Sequence, residues 1–153
     1  MNHPPRILVL GGTGFVGRQV CEQLARLGWQ ITVPTRRAVN AASVQSLPGL
    51  TVMQASVHSE ADLARLMPGH DAVVNLVAVL HGNQARFERV HVALVQKIVN
   101  ACLIRNVKQL VHITGHAVCG TFGVVNIAVV LLTQMNIVVV VHQMGESSRS
   151  LNS

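Results

Sequence analysis

The 153-residue sequence contains no tyrosine, three phenylalanines and one tryptophan, and only 12% of its residues are Asp, Glu, Lys or Arg. Without tyrosine, no phenol is available as a proton donor in catalysis. The shortage of aromatics also leaves few platforms on which nucleobases could stack. Twelve Lys and Arg exceed six Asp and Glu, a formal charge of +6, but the excess is thinly spread. It does not form the basic, aromatic-laced pattern of a nucleic-acid surface, and nucleic acid is excluded as a partner. Three cysteines (Cys21, Cys102 and Cys119) are an odd number at no metal or disulfide spacing, as suits a reducing cytosol. There is no long Gln, Ser or Pro tract and no internal repeat, which excludes a disordered or collagen-like chain. The opening residues MNHPPRILVLGG hold too short an apolar run for a secretory signal, so a cytoplasmic location is expected.

What is present is half hydrophobic, in a chain long enough to bury roughly two-thirds of its unfolded surface. Short apolar runs stand at 7–10, 30–33, 50–54, 72–77 and 109–113, without strict alternation, as expected of strands covered on both faces. Helical patterns lie between them. Val16, Val20, Leu24 and Leu27 predict an apolar stripe, with Gly28 as its C-terminal cap. Ser59 and Asp62 suggest a capping box ahead of Leu63 and Leu66, closed by Pro68 and Gly69. Residues 87–105 carry Val90, Leu94, Ile98 and Cys102 on one stripe. Strands alternating with helices imply an α/β fold built on a parallel sheet.

The first predicted strand runs into GGTGFVG. Gly12, Gly14 and Gly17 fit G-x-G-x-x-G, and Gly11, Gly14 and Gly17 fit G-x-x-G-x-x-G. Glycines so spaced turn the chain off the strand, admit a pyrophosphate to the backbone and let the helix pack closely on the sheet. The N–H groups that open the helix, near Phe15 and Val16, would face the phosphates at the positive end of the helix dipole. A ligand-free tight turn is the alternative. An acid about 20 residues further on commonly holds a ribose 2′-hydroxyl, but none occurs between Glu22 and Glu60. Thr35, Arg36 and Arg37 stand there instead, and guanidinium groups suit a 2′-phosphate. The expected cofactor is therefore NADP rather than NAD, unless the arginines are simply solvated. His112 and His116 are four apart, but on a strand and beyond it, with no acid nearby, so no metal site is expected.

These residues resemble the short-chain dehydrogenase/reductase superfamily, in its extended and atypical branches. GGTGFVG, the Arg36–Arg37 pair, NLVA (75–78) and VHIT (111–114) fall in the family's order over about residues 5 to 114. With FERVHV (87–92) and LVHIT (110–114), the combination is most similar to the nucleotide-binding accessory subunit of respiratory complex I and its bacterial relatives, within the NAD-dependent epimerase/dehydratase-like proteins. The resemblance implies a doubly wound, three-layered Rossmann sheet of order 3-2-1-4-5, with the glycine loop where strands one and four diverge. It implies a bound dinucleotide held at Gly11, Thr13, Gly14, Phe15, Val16, Gly17, Arg36 and Arg37. Ser56, in place of the family's Asp, and Val57 would lie beside the adenine, and Leu76, Val77 and Ala78 under the adenosine ribose. Thr114 takes the place of a Ser near the nicotinamide, and His91 that of a sheet-bridging Asn. The family's catalytic Tyr, with Lys four residues later, is missing, since the last lysine is Lys108. The implied role is a nucleotide-binding structural or assembly subunit, peripheral to a membrane respiratory complex. The alternatives are an oxidoreductase or sugar-nucleotide epimerase of unusual mechanism, or an inactive fragment of one.

Composition changes near Thr114, dividing a nucleotide-binding domain (1–114) from an apolar tail (115–153). Residues 114–153 carry only Glu146 and Arg149. From Val124 to Val141, 14 of 18 residues are apolar, enough to raise a membrane-spanning helix. Asn126, Thr133, Gln134 and Asn136 interrupt it, and the expectation is instead a helix over 124–132 followed by a sixth strand at 137–141 that completes the sheet. A truncated or frameshifted end is the third reading. Translation of the encoding DNA beyond Thr114 in all frames tests it: a family-like Tyr and Lys in another frame would mark the tail as out of frame, and their absence would count against that reading.

Overall fold

The structure, a computed structural model, describes residues 3–77, 83–114, 127–132 and 137–143. Strand β1 (Arg6–Leu10) is the pivot of the sheet. It pairs in parallel with β2 (Gln30–Thr35) on one side and β4 (Ala72–Asn75) on the other. Strand β3 (Leu50–Gln54) extends the sheet beyond β2, and β5 (Gln109–Thr114) extends it beyond β4, both in parallel. The order 3-2-1-4-5 that the family resemblance implies is the order of these five parallel strands. Pro34 sits in β2 without breaking the ladder, because pairing with β1 ends at Leu8 opposite Thr32.

Each face of this sheet carries its own apolar cluster. Ile7 and Val9 of β1 point to one face with Ile31, Val33 and Val74, where Cys21 and Ala25 of helix α1 (Phe15–Arg26) cover them. Leu8 and Leu10 point to the other, with Val73 and Leu110. Leu63 and Leu66 of α2 (Glu60–Leu66) and Leu94, Ile98 and Cys102 of α4 (Leu94–Ile104) cover that face. Three layers result. Full burial of a leucine such as Leu8 contributes about 1.5–3 kcal/mol. Burial also pushes the Cys21 thiol up to about 11 and the Cys102 thiol up to about 12, so both behave as small apolar groups.

Local signals explain the helix ends. The Ser59 hydroxyl accepts the Asp62 N–H at 3.2 Å and opens α2, one half of the expected capping box, while the Asp62 carboxylate accepts the Ser56 N–H rather than that of Ser59. Beyond α1, Gly28 donates to the Ala25 carbonyl and Trp29 to that of Leu24, the paired bonds of a Schellman motif. The stripe predicted for α1 is displaced, however. Its buried residues are Gly17, Cys21 and Ala25, while Val16 and Leu27 are exposed. The helix lies so close to the sheet that only small side chains fit beneath it. The long helix expected over 87–105 comprises α3 (Gln84–Glu88), a π-helical turn (Arg89–Ala93) and α4. Its predicted stripe of Val90, Leu94, Ile98 and Cys102 is buried as expected.

The tail requires a correction. Strand β7 (Ile137–Gln143) lies antiparallel to β5, and β6 (Ile127–Leu132) antiparallel to β7. The helix expected over 124–132 is thus replaced by a strand across 127–132. IAVVLL contains an isoleucine and two valines, whose stiff χ1 angles suit an extended chain. The β7 ladder supplies the backbone partners that a helix would otherwise provide internally. Among the described residues, no helix is long and apolar enough to cross a membrane.

Between β4 and its preceding helix, His70 places Nε2 2.9 Å from the Thr32 hydroxyl. Burial holds its pKa below the usual 6.5. The unfolded chain therefore binds more protons than the folded chain at mildly acidic pH, and this contribution to stability, complete above about 6.5, is lost as the pH falls below it. Urea midpoints measured from about pH 7.5 to about pH 5.5 should decline, and His70→Gln should flatten the decline. His58, also held low, leaves a residual slope of the same sign. A decline of equal steepness in the variant would exclude His70 as a contributor.

Candidate functional site

The parallel strands end on a common edge, and the turn after β1 shapes it. Gly11 takes φ 81°, a left-handed conformation that turns the chain sharply off the strand. Its backbone comes close to β4: a methyl group on Gly11 would lie 3.0 Å from the Leu76 carbonyl carbon and 3.1 Å from the Val77 nitrogen. Gly17 faces back onto the same turn, where a methyl group would overlap the Gly11 carbonyl oxygen and stand 2.6 Å from Gly12 Cα. These contacts draw the first turn of α1 onto the end of β1.

Gly14 is the N-cap of α1, extended at φ −76° and ψ 178°, and supplies no side chain to the helix end. The first bond of the helix runs from Arg18 N–H to the Gly14 carbonyl at 2.9 Å, so the N–H groups of Phe15, Val16 and Gly17 precede it. No acid occupies the first turn. Among the described residues the space above Gly14 is open, since a methyl group there would approach only the Gly11 oxygen, at 3.3 Å. Phe15 is 80% exposed and does not cover the site. An uncapped helix end with positive dipole, forward-facing N–H groups and an open glycine approach fits a diphosphate.

Asn75 organises the neighbouring strand end. It is 1% exposed, and its side-chain oxygen accepts the Val77 N–H at 3.1 Å. Its amide nitrogen lies 3.0 Å from His112 Nδ1. An amide NH₂ only donates, so His112 Nδ1 accepts and the ring carries its proton on Nε2. The pair folds Leu76 and Val77 toward the glycine turn.

Val77 also lines a cavity of about 510 Å³, with Arg36, His58, Arg86, Arg89, Val90, Ala93, Leu94 and Lys97. Arg36 reaches it from the end of β2, where the buried Thr35 hydroxyl donates to the Arg37 carbonyl at 3.0 Å and shapes the turn. Arg37 caps the short 3-10 turn Ala38–Ala41 and does not line the cavity, so the two arginines have different places. Lys97 donates to the His58 carbonyl at 3.3 Å and lies 3.8 Å from Glu60, joining α4 to the loop after β3. Burial, then the charges of Arg36, Lys97 and Arg89, push His58 below its ordinary value.

Ser56 and Val57 precede His58. The Ser56 N–H donates to the Asp62 carboxylate at 2.7 Å, the main reason that carboxyl lies below its usual range. Val57 packs against the apolar cluster under α2 and α4, and Leu76 against the opposite one. The structure therefore gathers Gly11 through Gly17, Leu76 and Val77 at one edge, with Arg36 at the cavity beside them. Ala78 and His116 lie outside the described residues. His91 falls in the π-helical turn and Thr114 ends β5, and the side chains of both lie outside what is described.

His58, Arg86, Arg89 and Lys97 were not among the site residues read from sequence, and Thr35 and Asn75 stood there only within motifs, without the positioning roles that their hydrogen bonds give them. A signal existed for three of them. Arg86, Arg89, Ala93 and Lys97 recur at three- and four-residue steps, which puts their side chains along one helical stripe.

Gly17→Ala should cost about 1–3 kcal/mol, because the added methyl meets backbone rather than a flexible side chain. Urea unfolding measures this, and an unchanged midpoint would disprove the close packing.

The profile of the NAD dependent epimerase/dehydratase family matches residues 7–130. The chain is 27% identical over 85 residues to the decarboxylating sterol-4-alpha-carboxylate 3-dehydrogenase of Dictyostelium discoideum, covering 56% of this chain and 26% of that protein. The UDP-N-acetylglucosamine 4-epimerase of Bacillus cereus superposes with a TM-score of 0.55 at 28% identity, over 71% of this chain and 38% of that one. Pen from Bacillus thuringiensis superposes at 0.64 with 17% identity, over 70% and 37% of the two chains. WbmH from Bordetella bronchiseptica, solved in complex with NAD+, superposes at 0.58 with 21% identity, over 69% and 38%. The chain thus spans about a quarter of the curated relative and under two-fifths of each of these solved structures. The match to more than half of its residues and the Rossmann-like fold agree: the chain belongs to the NAD dependent epimerase/dehydratase family.

Proposed function

We propose that the chain binds an NADP-type dinucleotide along the edge formed by the ends of its parallel strands, and serves as a nucleotide-binding subunit rather than a hydride-transfer catalyst. The observation that carries this reading is the uncapped first turn of α1, opening over Gly14 beside the cavity that Arg36 lines. The diphosphate would lie over Gly11, Thr13 and Gly14, held by the N–H groups of Phe15, Val16 and Gly17. Ser56 and Val57 would stand beside the adenine, and Leu76, Val77 and Ala78 under its ribose. Arg36 would hold the 2′-phosphate, with Arg37 at its margin, Thr114 would lie toward the nicotinamide, and His91 would stand where the family has a sheet-bridging Asn. Residues 1–114 form the nucleotide-binding part in this reading, and residues 115–153 a tail. By its resemblance to the complex I accessory subunit, the proposed partner is a membrane respiratory complex approached from the cytoplasmic side.

A bound nicotinamide would supply a hydride, but a carbonyl substrate also needs a proton donor within about 2.6–3.2 Å of the reacting oxygen. The chain has no tyrosine and no lysine beyond Lys108 to supply the family's pair. The dehydrogenase and the epimerase among the similar proteins favour a second reading, an enzyme in which histidine replaces tyrosine. His116 is the candidate, since an imidazole of pKa about 6.5 exchanges protons at neutral pH.

Calorimetric titration should show NADP binding more tightly than NAD, and Arg36→Ala should remove about 1–3 kcal/mol of the NADP affinity. Equal affinities, or a variant that keeps the preference, would rule out the phosphate role of Arg36. NADPH oxidation against ketones, quinones and nucleotide sugars should stay at the background rate. Turnover that vanishes in His116→Ala with cofactor affinity intact would establish the enzymatic reading instead.

A further inference from the structure

The cavity beside the glycine turn contains more positive charge than Arg36 alone can explain. Arg86, Arg89 and Lys97 line it from α3, the π-helical turn and α4, and Arg36 lines it from the end of β2. Among the described residues, neither Arg36, Arg86 nor Arg89 has a carboxylate within ion-pairing distance, and Lys97 has only Glu60, at 3.8 Å. Four cations around about 510 Å³ repel one another. In a chain with so few charges, their convergence calls for an anion that offsets the repulsion. The apolar part of the wall, Val77, Val90, Ala93 and Leu94, suits a flat heterocycle attached to that anion.

We infer that Arg86, Arg89 and Lys97 form the second side of a two-sided clamp, closed with Arg36 around a phosphomonoester dianion borne on the adenosine ribose. This rests on the dinucleotide reading above and locates its NADP selectivity chiefly in the helical segment 86–97 rather than in the β2 turn alone. The chemistry suits the charge. A phosphomonoester has three acceptor oxygens and nearly two negative charges, which guanidinium forks match in pairs. The unphosphorylated ribose of NAD would leave Arg36, Arg86 and Arg89 uncompensated, with Lys97 offset only by Glu60. The low His58 is a second sign of the same field, since Arg36, Lys97 and Arg89 all act on it after burial.

The test is a titration of NADPH, NADH, 2′,5′-ADP and 3′,5′-ADP into the intact chain and into Arg89→Gln and Arg86→Gln variants. Each variant should bind NADPH and 2′,5′-ADP about 3–10-fold more weakly, between the worth of an exposed ion pair and that of a charged hydrogen bond. NADH affinity should stay within about twofold, and both NADPH losses should shrink in high salt. Wild type that prefers NADPH, with variants that keep the full preference, would overturn the clamp and leave the dinucleotide reading standing. Equal NADPH and NADH binding by the wild type would overturn the clamp and the NADP preference together, and no binding of either would overturn the dinucleotide reading itself. Binding of 3′,5′-ADP as tight as that of 2′,5′-ADP would show a general phosphate trap and overturn the ribose 2′ assignment. Should either variant fail to fold, Lys97→Gln carries the same expectations.

Discussion

The close approach of α1 to the end of β1 is the constraint on which the rest of the site depends. Gly17 packs on the Gly11 carbonyl with no room for a methyl group, and this contact fixes how near the helix lies to the sheet. It explains why Cys21 and Ala25, and not Val16 and Leu27, face the core. It also aims the first N–H groups of the helix along the strand ends. Gly11 in turn touches Leu76 and Val77, whose backbone Asn75 holds through its own buried amide. One steric contact thus links packing, helix direction and the shape of the binding edge.

Electrostatics then divides this edge in two. Over Gly14 the attraction for an anion comes from backbone dipoles and unbonded N–H groups, which any diphosphate would satisfy. In the adjoining cavity it comes from side chains on separate elements, to which the proposed reading assigns the selectivity. Binding and chemistry are separable in this architecture. The glycine turn and helix end belong to the first half of the fold, whereas the family's proton donor belongs after β5. There this chain offers no tyrosine and an antiparallel pair of strands. Family membership therefore speaks for a nucleotide fold without carrying the family's chemistry across to these residues.

Much of the parallel sheet was legible from apolar runs, because strands buried on both faces need continuous apolar residues. β1 and β4 are such runs, and both lie where expected. The Ser59 cap and the Gly28 closure were legible for a similar reason, since each satisfies orphan backbone groups within a few residues of chain. The α1 stripe was not. Periodicity ranks residues by hydrophobicity, whereas the contact with β1 selected them by size. The tail misled for the opposite reason. A segment as apolar as 127–132 suits a strand or a helix equally by composition, and its pairing with β7 decided between them.

By itself, the sequence determined the alternation of strands and helices, the position of the glycine turn and the absence of the phenol that the family's chemistry uses. Each depends on residue identity within a short window or on a simple inventory. Only the tertiary structure decided which of the adjacent arginines meets a cavity, and that His58, Arg86, Arg89 and Lys97 meet it too. Arg36 and Arg37 are neighbours with the same charge, but the Thr35-bonded turn sends the chain past the cavity at Arg36 and into the 3-10 turn at Arg37. Residues 36, 58 and 86–97 are far apart along the chain. They converge because parallel strands bring successive loops to one edge of the sheet, and a site assembled from several loops has no signature in any one of them.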